Sequence, residues 1–185
     1  RLFVEWYYPS ITGRPATVDQ IISFESVWQE MLEALPAHQS VLVLRDYHVD
    51  NLMRVRQAGR EPICGLLDFQ DALLGSPAYD LISLLEDARR DVSKDLKKHC
   101  LTRYFSAMKR QENIPSEGDL MPWMNVLAAQ RHAKVMGIFV RLHERDGKNS
   151  YIEHLPRVQG LYYDTLNREP LLQPLKAWMT ANMPL

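Results

Sequence analysis

The chain has 185 residues, and 46% of them are hydrophobic, which is enough to bury a sizeable core. With 22 basic and 23 acidic residues, its formal net charge is -1, so no overall field favours nucleic acid or an anionic membrane. Apolar runs such as Val135 to Val140 are far shorter than the ~20 residues that span a bilayer. We therefore predict a globular protein with neither a nucleic-acid nor a membrane partner.

The two cysteines, Cys64 and Cys100, lack metal-ligand spacing and make no disulfide framework. We interpret both as buried thiols in a reducing cytoplasm. The chain starts at Arg1 rather than at methionine, and no charged-then-apolar signal segment follows. We expect this start to be a cut within a longer chain.

The first elements in chain order are an aromatic segment and a helix. Arg1 to Tyr8 is rich in aromatic residues and is ended by Pro9. Thr17 and Gln20 have the spacing of a capping box, which predicts a helix start. Apolar residues then recur at helical spacing until Pro36 ends the helix, so one of its faces is predicted to be core.

Short strands and then helices are predicted for the rest of the chain. Val41 to Leu44 is typical of a buried strand, while Leu52 to Val55 and Ile63 to Phe69 flank the turn-prone QAGREP and predict a small hairpin sheet. The predicted helices are Asp80 to Arg90, Ser93 to Gln111, Leu120 to Arg145, Leu155 to Asn167 and Leu171 to Met179. The fold class is therefore α+β and mainly helical.

The strongest functional pattern lies in the loops beside these strands. Arg45-Asp46 is followed five residues after the aspartate by Asn51, and Asp68 comes at the end of the next hairpin. Phosphoryl transfer needs a carboxylate beside the attacking hydroxyl and separate oxygen ligands for Mg²⁺. Asp46 suits the first role, and Asn51 with Asp68 suits the second. The alternative is that all three are turn residues, which Asp and Asn often are.

Three segments resemble a known family. LRDYHVDNLM, LLDFQDALLGSPAYDLISLLEDAR and AAQRHAKVMGIFVRLHERDGK are similar to the C-terminal lobe of the aminoglycoside phosphotransferase and choline kinase superfamily. Within it, the chain most resembles bacterial kinases that phosphorylate the anomeric hydroxyl of N-acetylmuramate and N-acetylglucosamine. The likeness covers nearly all 185 residues. It implies a protein-kinase-like fold with ATP and Mg²⁺ as cofactors.

The resemblance also implies roles for single residues. Asp46 would be the catalytic base, and Asn51 and Asp68 would bind Mg²⁺. Asp80 and Arg45 would brace the catalytic loop.

Other polar loop residues have two interpretations each. His48 touches substrate or phosphate, or else bonds loop backbone. Asp50 is an extra metal-site carboxylate or a solvated charge, and Asp71 is a hydrogen-bonding loop residue or a substrate contact. Leu44 stands where the family motif often has histidine, which removes a packing or hydrogen-bonding group but no catalytic one.

Two further groups of residues are candidates for substrate binding. Arg131, His132, Lys134 and Arg141 lie on one predicted helix, where a basic stripe either binds a substrate carboxylate or is a solvated face. The aromatic residues at positions 6–8 either stack on a sugar or belong to the core.

The phosphate-covering half of a kinase site is not evident. None of the eight glycines forms a G-x-G-x-x-G pattern, and no strand lysine with a helix glutamate partner can be assigned. We expect residues 1–185 to be a catalytic and acceptor-binding C-terminal lobe whose N-terminal nucleotide lobe is absent, and to be inactive alone.

The acceptor is predicted to be a small molecule. Residues 119–185 carry eight basic and six acidic residues, a balance that disfavours a polycationic aminoglycoside and suits a neutral or carboxylate-bearing amino sugar. An aminoglycoside kinase and a non-catalytic kinase-like binding module are the alternatives.

Overall fold

The computed structural model describes residues 1–38, 40–56, 58–109 and 115–183. The chain divides into two units: Arg1–Pro36 joins Asn125–Leu185 in one, and Ala37–Met124 forms the other. Within the described ranges, no helix combines the length and the apolar character needed to cross a membrane. Helices dominate, accompanied by small two-stranded sheets, as the sequence predicts.

The elements have the following bounds. The helices are a π-helical turn at Phe3–Tyr7, α1 Tyr8–Thr12, α2 Val18–Glu33, α3 Ala78–Leu85, α4 Lys94–Met108, α5 Glu117–Glu144, α6 Leu155–Arg168 and α7 Gln173–Asn182. The strands are β1 Val41–Val43, β2 Leu52–Val55, β3 Ile63–Leu66 and β4 Leu73–Gly75. Short 3₁₀ turns lie at Val49–Asn51, Asn149–His154 and Pro170–Leu172.

The start of α2 confirms the predicted capping box. The Gln20 backbone N–H donates to Thr17 Oγ1 over 3.2 Å, and the Thr17 N–H donates to Gln20 Oε1 over 2.9 Å. Two of the N–H groups that a helix start leaves unpaired are thereby satisfied. The helix ends at Glu33, shortly before Pro36.

The aromatic segment differs from the prediction at Pro9. The helical path continues through Pro9 to Thr12, and Gly13 ends it with a left-handed φ of 72°. Pro9 is tolerated because it lies in the first turn of α1, where its missing N–H costs little. Tyr7 and Tyr8 are 2% and 0% exposed, so the core interpretation holds for these two residues.

One close backbone contact in the first unit involves Gly137 of α5. A Cβ atom at this position would lie 2.3 Å from the Leu2 carbonyl oxygen. Real Cβ atoms do not approach backbone so closely, and backbone cannot rotate away as a flexible side chain does. Glycine at 137 therefore lets α5 pack directly against the N-terminal segment.

We expect Gly137→Ala to lower the free energy of unfolding by about 1–3 kcal/mol, because the added methyl overpacks a backbone contact. Gly160→Ala on α6 is the matched control, since a Cβ there meets none of the described residues within 4 Å. Alanine is the better helix former, so the control should gain up to about 1 kcal/mol. Denaturant unfolding measures both changes, and equal stability of the two variants would contradict the packing role.

The second unit holds two antiparallel sheets rather than the single predicted hairpin. Strands β2 and β3 pair as expected, with Leu52 opposite Leu66. Strand β1 pairs instead with β4, with Val43 opposite Leu73, and the sequence pattern did not reveal β4. Strand β3 also ends at Leu66, before the predicted end at Phe69.

Both cysteine predictions are wrong as to burial. Cys64 is exposed, and Cys100 is partly exposed. Cys64 lies on β3 beside Ile63 and Leu66, which are 51% and 42% exposed. A two-stranded ribbon has too few residues to bury both of its faces, so an apolar run there does not imply burial.

Two helix ends in this unit also need comment. Helix α3 stops at Leu85 rather than at Arg90, because Glu86 leaves helical geometry with φ -127° and ψ 56°. Glu86 is buried and forms an ion pair with Lys97 of α4. Helix α4 ends at Met108, and its predicted end at Gln111 lies outside the described residues, as does Gln57 of the QAGREP turn.

Candidate functional site

Asp46, Asn51 and Asp68 come together in the unit Ala37–Met124. The Asn51 side-chain amide donates to the Asp46 carbonyl oxygen over 2.9 Å, and its Nδ2 lies 3.5 Å from Asp68 Oδ2. A backbone hydrogen bond of 2.9 Å from Leu67 N–H to the Asn51 carbonyl joins the two loops. The side chain of Asp46 is exposed to solvent. Two loops that are separate in sequence thus present their polar residues at one place.

Asp80 holds the chain where it leaves β1. Its two carboxylate oxygens accept hydrogen bonds from Leu44 N–H over 2.7 Å and from Arg45 N–H over 3.0 Å. Asp80 lies in the first turn of α3, where the helix dipole favours a negative charge. The bracing position that the resemblance implies for Asp80 is therefore compatible with these contacts.

Arg45 adopts a backbone conformation that is uncommon for a residue with a side chain. Its φ of 70° is left-handed, which costs about 1–3 kcal/mol. Its N–H is bound by Asp80, and its carbonyl accepts from Ser83 Oγ over 3.3 Å. Residues of helix α3 thus bind both the N–H and the carbonyl group of Arg45. These two hydrogen bonds fix the backbone that leads into Asp46.

Asp68 has the second positive φ among the described non-glycine residues, at 55°. Aspartate tolerates this region better than most residues. Gln70 donates its side-chain amide to Asp68 Oδ1. This contact orients the carboxylate.

The Asn51 amide leaves one oxygen available. Its Nδ2 faces the contacts given above, whereas its Oδ1 accepts no hydrogen bond from the described residues. No group of three His, Cys, Asp or Glu side chains within the described ranges is arranged to hold a metal alone. Mg²⁺, however, commonly takes only one or two protein carboxylates together with substrate phosphates. Asn51 Oδ1 and the exposed Asp68 carboxylate are a donor pair of that kind.

His48 and Asp50 make side-chain contacts that the sequence did not predict. His48 Nε2 lies 3.4 Å from Asn51 Nδ2, so the ring meets a side chain rather than loop backbone. The Asp50 side chain is 47% exposed and forms an ion pair with Arg90, so it is a solvated charge that has a partner. Nearby, burial raises the pKa of the Tyr47 hydroxyl, and Cys64 and Asp80 raise it further, so Tyr47 stays neutral at pH 7.

The Asp71 carboxylate is exposed. The backbone carbonyl of Asp71 accepts from Arg45 Nη1 over 3.5 Å, while its side chain bonds to none of the described residues. This contact ties Arg45 to the loop after Asp68.

The candidate substrate residues of α5 lie in the other unit. Arg131 and His132 are 7% and 0% exposed, so the solvated-face interpretation is wrong for both. Lys134 is half-buried. Arg141 is also half-buried, and its buried Nε makes no hydrogen bond to the described residues.

Sequence reasoning missed three residues that support the loops. Ser83 follows Asp80 by one helical turn on the same face of α3, a spacing from which its role was predictable. Gln70 lies two residues after Asp68, and no sequence pattern marked it as a partner of that carboxylate. Arg90 was assigned to the C-terminal end of a predicted helix, and nothing in the pattern marked it as a partner of Asp50.

Comparisons with known proteins agree with the resemblance. A model of the phosphotransferase enzyme family matches residues 1–112. N-acetylmuramate/N-acetylglucosamine kinases from Caulobacter vibrioides, Neisseria meningitidis and Pseudomonas putida are 34%, 37% and 33% identical over 100%, 95% and 94% of the chain. The chain spans about half of each relative: 49%, 52% and 50%. Because this family model matches more than half of the residues, the chain belongs to the phosphotransferase enzyme family.

Proposed function

We propose that the protein containing this chain transfers the γ-phosphoryl group of ATP, with Mg²⁺, to a hydroxyl of an amino sugar. The observation that supports this most is the assembly of Asp46, Asn51 and Asp68 around one hydrogen-bonded loop pair. Turn residues serving only the local backbone would not need to converge from two loops. We further propose that the chain is the C-terminal lobe of a protein-kinase-like fold.

Each of these residues has a role that its contacts permit. Asp46 keeps its carboxylate exposed, where it orients the acceptor hydroxyl and accepts its proton. Asn51 Oδ1 and Asp68 would hold Mg²⁺, which neutralises charge on the triphosphate. Asp80 and Ser83 act through the backbone of Arg45, so they are positioning residues.

The acceptor that we propose is N-acetylmuramate or N-acetylglucosamine. All four relatives that match are named N-acetylmuramate/N-acetylglucosamine kinases. The basic surplus of residues 119–185 agrees with this acceptor, because the several ammonium groups of an aminoglycoside need a carboxylate-rich cleft.

The test is a screen of the full-length protein with ATP and Mg²⁺ against both sugars, choline and kanamycin, with ADP release as the readout. We expect turnover with the two sugars and little with kanamycin or choline. Efficient phosphorylation of kanamycin without sugar turnover would support the aminoglycoside alternative instead. Nucleotide binding with no turnover of any acceptor would point to a non-catalytic binding module.

Arg141 is the residue that we propose for the lactyl carboxylate of N-acetylmuramate. Its Nε is buried without a hydrogen bond to the described residues. An unsatisfied buried N–H donor of a charged group favours a charged acceptor. Arg145, one turn later, is already bound in two places to Asp146, through Nε and Nη2. The two arginines therefore differ in what they can offer a ligand.

We expect Arg141→Ala to raise KM for N-acetylmuramate by about tenfold or more, the loss that one charge-assisted hydrogen bond implies. KM for N-acetylglucosamine, which lacks the carboxylate, should change much less. Arg145→Ala is the control and should affect both sugars little, because its partner is on its own surface. Equal KM increases for both sugars in Arg141→Ala would remove the carboxylate role.

A further inference from the structure

The orientation of the Asn51 amide follows from its neighbours. Nδ2 faces the Asp46 carbonyl oxygen at 2.9 Å and Asp68 Oδ2 at 3.5 Å. A carbonyl and an ionised carboxylate only accept hydrogen bonds, so the group facing them must be the NH₂. The Asp46 carbonyl and the Asp68 carboxylate thus determine the orientation of the Asn51 amide, and His48 is not needed for the assignment.

This orientation determines which nitrogen of His48 carries the proton. His48 Nε2 lies 3.4 Å from the Asn51 NH₂, and two donors cannot face each other favourably. Nε2 must therefore be the acceptor, which places the proton of the neutral ring on Nδ1. Nδ1 is buried, has no hydrogen-bond partner among the described residues and lies 3.7 Å from Asp50 Oδ2.

The carboxylate of Asp50 favours that same tautomer. At 3.7 Å the contact is too long for a hydrogen bond, but a negative charge beside Nδ1 still favours N–H over a lone pair there. Asp50 itself is held by Arg90, which follows the end of α3. The chain of contacts from Arg90 through Asp50 and His48 thus ends on the Asn51 amide.

We propose that His48, Asp50 and Arg90 are positioning residues that keep Asn51 Oδ1 pointing away from the loop and available as a cation ligand. This inference rests on the proposed function, in which Asn51 and Asp68 hold Mg²⁺. His48 Nε2 at 3.4 Å and Asp68 Oδ2 at 3.5 Å share the second N–H of Asn51, since the first is donated to the Asp46 carbonyl. His48 thus weakens the hydrogen bond to Asp68 Oδ2, and Asn51 Oδ1 stays available to the metal.

The first test compares two replacements of similar size at His48 in the full-length protein. His48→Gln keeps an acceptor near the position of Nε2, whereas His48→Met removes it. With a non-hydrolysable ATP analogue present, binding of Mn²⁺ measured by electron paramagnetic resonance should weaken by about tenfold in His48→Met and change little in His48→Gln. Equal affinity of the two variants would overturn the proposal, because packing alone does not distinguish an acceptor from a thioether.

The second test separates this inference from the proposed function. The ¹⁵N shifts of the His48 ring in the metal-free wild-type protein should show the Nδ1–H tautomer, and Asp50→Asn should weaken that preference. His143→Met is the control in the metal titration, because His143 also contacts an asparagine, with Nδ1 2.8 Å from Asn149 Oδ1, and should leave Mn²⁺ affinity unchanged.

The possible outcomes are distinct. An Nε2–H tautomer at His48 would overturn the positioning role even if the protein proves to be a kinase. Failure of the wild-type protein to bind Mn²⁺ would overturn the proposed metal site, and the inference that rests on it.

Discussion

Replacing Asp46 with asparagine is expected to lower kcat of the full-length protein by about 10²–10⁴-fold while ATP affinity changes little. Asparagine has nearly the same shape as aspartate, but it cannot accept a proton from the acceptor hydroxyl. The loop should survive the change, because its hydrogen bonds to Asn51 and Asp80 use backbone atoms of residues 44–46. The variant should therefore be slower in the chemical step, while its structure and its affinity for ATP are kept.

A matched variant tests whether the loss of any exposed carboxylate would lower kcat. Asp95→Asn removes an exposed acid in the first turn of α4, outside the two loops, and should keep kcat near the wild-type value. Steady-state kinetics with N-acetylglucosamine, together with calorimetric binding of ATP, separates turnover from binding. A kcat within about threefold of wild type in Asp46→Asn would rule out general-base catalysis by this residue.

Features that depend on neighbouring residues were predictable from the sequence. The capping box of Thr17 and Gln20 has a local cause, and the helix begins where it predicts. The spacing from Asp46 to Asn51 is likewise a property of a single loop. Local spacing therefore sufficed to nominate residues that the structure brings together.

Features that depend on distant partners were not predictable in this way. Strand β4 is three residues long, and it exists because β1, some thirty residues earlier, pairs with it. The apolar pattern around Cys64 is the same for a covered strand and for a ribbon with exposed faces, so burial could not be inferred. Helix α3 ends early where buried Glu86 meets Lys97, a contact between two helices.

The same distinction applies within the site. Asp46, Asn51 and Asp68 were proposed because their residue types and spacing match the chemistry, and the structure brings them close together. The strained φ of Arg45 has no counterpart in the sequence, since arginine is not a residue that favours this region. It persists because Asp80 and Ser83 hold it from α3, which becomes visible only in the folded chain.

Asp68→Ala is expected to abolish the Mg²⁺ dependence of ATP binding in the full-length protein. The change removes the charged oxygen ligand of a cation that has few protein contacts, leaving Asn51 as the remaining proposed ligand. Calorimetric titrations of ATP with and without Mg²⁺ measure the effect. The wild-type protein should bind ATP more tightly with the metal, and the variant should bind it equally in both conditions.

Asp68→Asn separates the lost charge from backbone strain. Asp68 has φ 55°, a region that asparagine tolerates and alanine adopts at a cost of about 1–2 kcal/mol. The alanine variant should therefore unfold at lower denaturant concentration than the asparagine variant, while both should lose the Mg²⁺ dependence because neither has the negative charge. If Asp68→Asn kept the full Mg²⁺ dependence, the negative charge of Asp68 would not be needed for metal binding. The loss of Mg²⁺ dependence in Asp68→Ala would then have to come from strain in the loop.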